Sequence, residues 1–108
     1  MAELSGSGAA GSLNGATHVE VVPAPSTGFR MVRCMYFNHT DSSPVTLHIA
    51  KKAGGTPYQF HSQTMLRGYT LEFGDGDIII LGANESLEAW LDSSPSTQPT
   101  WVSTWGDK

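Results

Sequence analysis

Apolar and polar residues alternate in several short segments of this chain. Residues 17–22 read THVEVV and residues 45–50 read VTLHIA, and this alternation places the apolar side chains on one face of a strand. Further short strands are predicted at 29–38, 58–66, 69–73, 78–81, 86–91 and 100–105. Turn residues separate these segments at regular spacing, and no segment has helical periodicity. The sequence therefore predicts an all-β fold, an antiparallel, jelly-roll-like β-sandwich of about eight short strands.

The longest aliphatic run, Ile78–Leu81, lies in the stretch 75–91, DGDIIILGANESLEAWL. A polar turn, 82–85, separates this run from the second apolar segment, 86–91. Two short apolar runs joined by about four turn residues predict a β-hairpin. We expect its first strand to anchor the core and Trp90 to close it.

The segment 29–38, FRMVRCMYFN, is apolar at both odd and even positions. A strand buried on both faces, or one half covered by a partner, has this composition. We therefore predict partner contacts for Phe29, Met31 and Met35. Arg30 and Arg33 in the same strand are candidates for an ion pair or a cation–π contact.

The first sixteen residues, MAELSGSGAAGSLNGA, contain almost nothing to bury. This composition predicts a flexible N-terminal arm at 1–16, followed by the β-sandwich domain at 17–108. An arm of this kind can add to a neighbour through main-chain hydrogen bonds, and Leu4 and Leu13 are its candidate contacts. Trp101 and Trp105, near the other end, are candidates either for an interface or for the core.

Composition excludes several classes of partner. The 108 residues form one domain-sized chain with a net charge of −4 and six Lys plus Arg, which argues against a direct nucleic-acid partner. No apolar run has the ~20 residues of a membrane span, and no signal peptide is evident, so a cytosolic origin is expected. The single cysteine, Cys34, excludes an internal disulfide and predicts a buried, inert thiol.

Candidate chemistry is sparse. The four histidines form no close-spaced pair of the kind that binds zinc, and no metal or cofactor is expected. Asp75 and Asp77 resemble the start of a calcium loop, but an apolar strand follows where further ligands are needed, so a turn is favoured and an ion site stays open. No nucleophile elbow or phosphate loop is present. We therefore expect no enzymatic activity.

The order of strand motifs carries a resemblance to a known class of protein. The segments GFRMVRCMYFNHT, SPVTLHI, LRGYTLEF and IILGANESLEAW follow one another along residues 17–105. This order resembles small β-sandwich virion proteins of tailed bacteriophages, in which an Asn-x-Thr strand end leads to a V-T-L strand and an L-x-A-G-D-S-L-x-A hairpin. Here Asn84-Glu85 stands where Gly-Asp is usual.

The resemblance implies a capsid decoration (cement) protein in the virion, bound to the major capsid protein or to other virion proteins. It also implies a homo-oligomer, most often a trimer, and no catalytic residues. Two alternatives stay open. One is a head–tail joining, tail or fibre component, and the other is a carbohydrate-binding β-sandwich that uses Trp101, Trp105 and Tyr58 as stacking surfaces.

Overall fold

The computed structural model describes residues 5–74 and 79–108. These residues form nine β-strands. The strands are β1 (Ser5–Ser12), β2 (Val19–Val22), β3 (Arg30–Asn38), β4 (Val45–Ala53), β5 (Thr56–Met65), β6 (Thr70–Phe73), β7 (Ile79–Leu81), β8 (Glu85–Leu91) and β9 (Thr100–Asp107). No helix in these ranges is long and apolar enough to cross a membrane.

The strands form two antiparallel sheets. The first has the order β1-β9-β3-β6, and β7 also pairs with β3. Because β6 pairs with residues 35–38 of β3 and β7 with residues 30–32, these two short strands share one position in the sheet. The second sheet has the order β2-β8-β4-β5. With β6 and β7 taken as one position, this four-on-four arrangement is that of a jelly roll, and the predicted fold class is confirmed.

The core lies between the two sheets. The alternation in β4 buries Val45, Leu47 and Ile49 as predicted, and Trp101 and Trp105 on β9 face the same core. Ser103 lies between the two tryptophans, and its hydroxyl donates a 2.6 Å hydrogen bond to the carbonyl of Val21 on the other sheet. This bond gives a buried hydroxyl its partner and joins the sheets across the core.

A β-bulge explains why β3 is apolar at both parities. The register between β3 and β9 shifts between Val32 and Cys34, and an extra residue in one strand reverses which parity faces the core. Val32 is buried before the bulge, and Met35 and Phe37 are buried after it. The strand is therefore buried on one face only, and its remaining apolar residues lie on the other face.

The predicted hairpin at 78–91 is wrong. β7 pairs with β3 in the first sheet, whereas β8 lies between β2 and β4 in the second. Residues 82–84 therefore form a corner between the sheets, where Asn84 has a φ of 64° and the Glu85 amide donates to the Gly82 carbonyl. Apolar runs and turn residues are the same for a hairpin and a corner, so the pattern could not separate them. Asp75, Asp77 and Ile78 lie outside the described residues.

The segment predicted as a flexible arm also differs in the structure. Residues 5–12 form β1, which pairs with β9 in register along its whole length. Gly11 makes this close approach possible, since a Cβ there would lie 3.0 Å from the Trp101 ring. Main-chain hydrogen bonds hold such a strand, so its composition gave no side-chain signal. Leu13 follows at the end of the strand and is buried in the core.

Candidate interaction surface

An exposed apolar surface lies on the outward side of the first sheet. We name it the open face. Its residues come from four strands and from the segment before β3, and they are Ala10, Phe29, Met31, Cys34, Tyr36, Ile80, Val102 and Thr104. Among them, Phe29 is 63% exposed, Ile80 52% and Val102 46%. Exposed apolar side chains that form one continuous patch mark an interaction site more often than scattered ones do.

Strand register explains how these side chains come together. Tyr36 on β3 lies opposite Val102 on β9, which lies opposite Ala10 on β1. Met31 lies opposite Ile80 on the other side of β3. Directly opposed residues on one face have Cβ atoms about 5 Å apart, so each row is a contiguous strip of surface.

Charge is sparse on this sheet. Arg30 is neutralised by Asp107, to which its guanidinium donates two hydrogen bonds of 2.7 and 2.9 Å. The pairing raises the pKa of Arg30 and lowers that of Asp107, because each hydrogen bond favours the charged forms. Of the described residues in the strands of the first sheet, Arg33 and Glu72 are the exposed charges that remain.

Arg30 lies on the core side of the first sheet, at one end of β3. Its guanidinium donates to the Pro23 carbonyl at 2.6 Å and lies 4.9 Å from the centre of the Trp105 ring. The ion pair and the cation–π contact expected for this strand therefore both form at Arg30. This network ties β3 to β9 and to the segment that follows β2.

An apolar cleft of about 270 Å³ lies at one end of the open face. Phe29, Met31, Ile80 and Lys108 line it. The backbones of Phe29 and Lys108 exchange two hydrogen bonds, Phe29 N–H to Lys108 O at 3.1 Å and Lys108 N–H to Phe29 O at 2.9 Å. The ladder between β3 and β9 thus extends to the cleft and gives it a rigid wall.

The seven residues predicted to contact partners do not lie together in the structure. Phe29 and Met31 lie on the open face and line the cleft. Leu13, Met35, Trp101 and Trp105 are instead buried in the core of the single chain, which contradicts an interface role for these four side chains in the folded monomer. Leu4 lies outside the described residues.

Burial of both tryptophans has a simple cause and a consequence. β9 lies inside the first sheet, between β1 and β3, and its tryptophans face the core between the two sheets. A stacking surface for sugars therefore cannot include Trp101 or Trp105, and only Tyr58, 60% exposed, is left of that predicted set.

Sequence reasoning missed Tyr36, Ile80 and Val102 as surface residues. Val102 lies between Trp101 and Ser103 and so has the opposite parity to the buried residues of β9. That parity was visible in the sequence and could have identified it. Tyr36 and Ile80 could not be assigned in this way, since the bulge in β3 and the short length of β7 hide the alternation.

The outward side of the second sheet differs in chemistry. Trp90 was expected to close the core, but it lies on this outward side instead. Its ring is stacked between His18, at 3.8 Å, and His48, at 5.5 Å. The Nδ1 atom of His18 lies 2.7 Å from a carboxylate oxygen of Glu88, which is buried. These contacts join the residue before β2 to β8 and β4 and cover the faces of the Trp90 ring.

The histidines and Cys34 are not grouped as metal ligands in the described residues. Within residues 5–74 and 79–108, no three His, Cys, Asp or Glu side chains are placed to hold a metal ion. Cys34 is half-buried rather than buried, and its sulfur lies 3.0 Å from the Thr104 hydroxyl oxygen. It forms part of the open face. Asp75 and Asp77, where an ion site was left open, lie outside the described residues.

Comparisons with known proteins agree with the fold. The sequence matches no protein-family model and no curated protein. A chain from Bacillus endospore appendages, described as a novel family of disulfide-linked pili, is similar over 97% of this chain and 87% of its own, with a TM-score of 0.54 and 14% identity. A chain of the cyanophage Pam1 capsid asymmetric unit aligns over 98% of this chain and 84% of its own, with a TM-score of 0.38 and 13% identity. At these identities the first similarity supports the fold alone, and the second carries no argument.

Proposed function

We propose that this protein is a non-catalytic structural component of a bacteriophage virion. More specifically, it acts as a capsid decoration (cement) protein that binds the major capsid protein through the open face. The observation that carries this proposal is the exposed apolar surface around the cleft of Phe29, Met31 and Ile80, where Lys108 is the one charged residue among the described lining residues. The order of strand motifs supports it, as does the recurrence of jelly rolls in viral capsids.

The physical properties of the open face suit attachment to a shell. A sheet is rigid, so it can meet a repeating surface without losing much conformational entropy on binding. Two aromatic rings and several aliphatic side chains supply the buried area, with few charges to desolvate. Each contact can be modest, because many copies on one shell, or linked copies, add their contributions.

A head–tail joining, tail or fibre role would use the same surface. These roles differ from decoration in the number of copies per particle, which the geometry of one chain does not set. For a carbohydrate-binding role, two of the three proposed stacking residues, Trp101 and Trp105, are buried in the core. The open face therefore favours a protein partner.

Binding to particles that lack the protein tests the proposal. We expect Phe29→Ser to weaken binding by about 2 kcal/mol or more, because truncating an aromatic anchor of an interface has this cost. Phe60→Ser is the matched control, since Phe60 is 46% exposed on β5 of the second sheet. The measurement is the fraction of shell sites filled against the concentration of added protein.

Equal binding by the two variants would contradict a role for the open face. Wild-type protein that fills no shell site, although its folding is intact, would contradict decoration itself. Particles filled with wild-type protein are also expected to lose their contents at a higher temperature than unfilled ones, as a cement role requires.

A further inference from the structure

Strand β1 is the one edge strand of the described residues that lacks protection against pairing. The outer strands of a sheet expose unpaired N–H and C=O groups, and proteins block them with short strands, bulges, prolines or charges. β2 has four residues and a shifted register, and β6 and β7 have four and three residues. β5 contains Pro57 and pairs with β4 through a bulge.

β1 has none of these devices. It is eight residues long, SGSGAAGS, with no proline and no charged residue. It pairs with β9 without a register shift. The strand is composed of Gly, Ala and Ser alone, which have no bulky side chain to obstruct an approaching strand. A long edge strand with a regular register is a template for another strand.

We propose that two copies of this chain pair through β1 as an antiparallel dimer. A two-fold axis perpendicular to the sheet brings the same edge of each copy together, and such an isologous contact is closed. The axis pairs residues of equal parity, so a register centred on Gly8 places Gly6 opposite Ala10 and Ser7 opposite Ala9.

The chemistry of the edge favours a second copy as the occupant. Each chain has a net charge of −4, so two copies repel each other on average. The eight residues of β1 carry no charge, and every row of the proposed ladder joins Gly, Ala or Ser. The edge is therefore a place where two copies can meet without opposing like charges.

The pairing has a geometric consequence for the open face. A two-fold axis perpendicular to the sheet keeps both open faces on the same side of one continuous sheet. The dimer would thus present two copies of the cleft to one partner surface, which strengthens attachment through multivalency. The inference goes beyond the proposed function, because the dimer forms in solution whether or not a shell is bound.

Mass measurement and spin labels on the full chain test the dimer. We expect sedimentation equilibrium to give twice the 11.5 kDa chain mass. A spin label at Ala10→Cys, in a Cys34→Ser background, should show strong dipolar broadening, because a Gly8-centred register places the two labelled positions about 14 Å apart. The control label, Ser62→Cys, lies on exposed β5 and should show none. A monomeric wild type, or broadening at residue 62 instead of 10, would overturn the proposal.

Two neighbouring proline variants identify the edge itself. Successive residues of a strand direct their N–H groups to opposite sides. Of Ala9→Pro and Ala10→Pro, one therefore breaks the ladder with β9, and the other removes a donor from the free edge. We expect the variant with the more native-like stability to raise the dimer dissociation constant about tenfold or more, since each copy loses a hydrogen bond. If both variants dimerise as the wild type does, the contact lies elsewhere.

The outcomes separate this inference from the proposed function. A dimer that does not fill shell sites would reject decoration and leave the edge pairing intact. A monomeric chain that fills the sites, and whose binding depends on Phe29, would reject the edge pairing and leave decoration intact.

Discussion

Leu13 provides a quantitative test of how the N-terminal segment is held. Its side chain is 2% exposed and belongs to the core, and its amide donates a 2.9 Å hydrogen bond to the Pro99 carbonyl. Leu13→Ala removes buried methyl groups and leaves a cavity, which costs about 3 kcal/mol within the usual span of such changes. For a domain of this size, that loss lowers the melting temperature by roughly 10 to 20 °C.

Urea denaturation followed by tryptophan fluorescence measures the loss. Leu66→Ala is the matched control, because Leu66 is 62% exposed and its truncation should change the free energy of unfolding by less than about 0.5 kcal/mol. Equal, small effects of the two substitutions would refute the placement of Leu13 in the core. They would instead favour the earlier interpretation of Leu13 as a contact of a flexible arm.

Three further predictions concern the core, a turn and pH. Ser103→Ala should cost about 1–3 kcal/mol in urea denaturation, because it removes the hydrogen bond that the buried hydroxyl donates between the sheets. Gly28→Ala and Gly68→Ala both place alanine at a positive φ, which costs about 1–2 kcal/mol. Gly28→Ala should lower the melting temperature further, because its Cβ would also meet the carbonyl oxygen of Lys108. The Asp41 carboxylate accepts hydrogen bonds from the Ser43 and Thr97 amides, which lower its pKa from 3.8. The contribution of this carboxylate to the stability of the fold is therefore present above that value and is lost as the pH falls through the lowered pKa. Below about pH 4, the melting temperature of Asp41→Asn should depend less on pH than that of the wild type.

The sequence was sufficient for the fold class and for most strand positions. Alternation at 45–50 and 100–105 identified which side chains face the core, because both strands are regular there. Periodicity of two is a strong signal when one face is buried and no bulge interrupts it.

The errors have physical causes that can be named. The bulge in β3 changes parity inside the strand, so the pattern could not separate a strand buried on both faces from one with a single buried face and an exposed apolar face. The corner after β7 has the composition of a hairpin turn, so the pattern could not reveal that the chain changes sheets. β1 is bound to β9 by main-chain hydrogen bonds, and these do not depend on which side chains are polar.

Only part of the candidate surface could be predicted from the sequence. Phe29 and Met31 were identified because apolar residues at the unexpected parity of β3 needed an explanation. Ile80 joins them through the pairing of β7 with β3, a contact between distant segments that no local pattern encodes. The core position of Trp101 likewise depends on coverage by Gly11 of β1.

The number of copies of this protein on purified phage particles tests its proposed role most directly. A stained gel of such particles, calibrated with the purified chain, gives the ratio of this protein to the major capsid protein. A decoration role predicts a copy number on the same order as that of the major capsid protein. Absence from the particle would contradict a virion role, and a few copies per particle would contradict decoration and favour a joint or tail position.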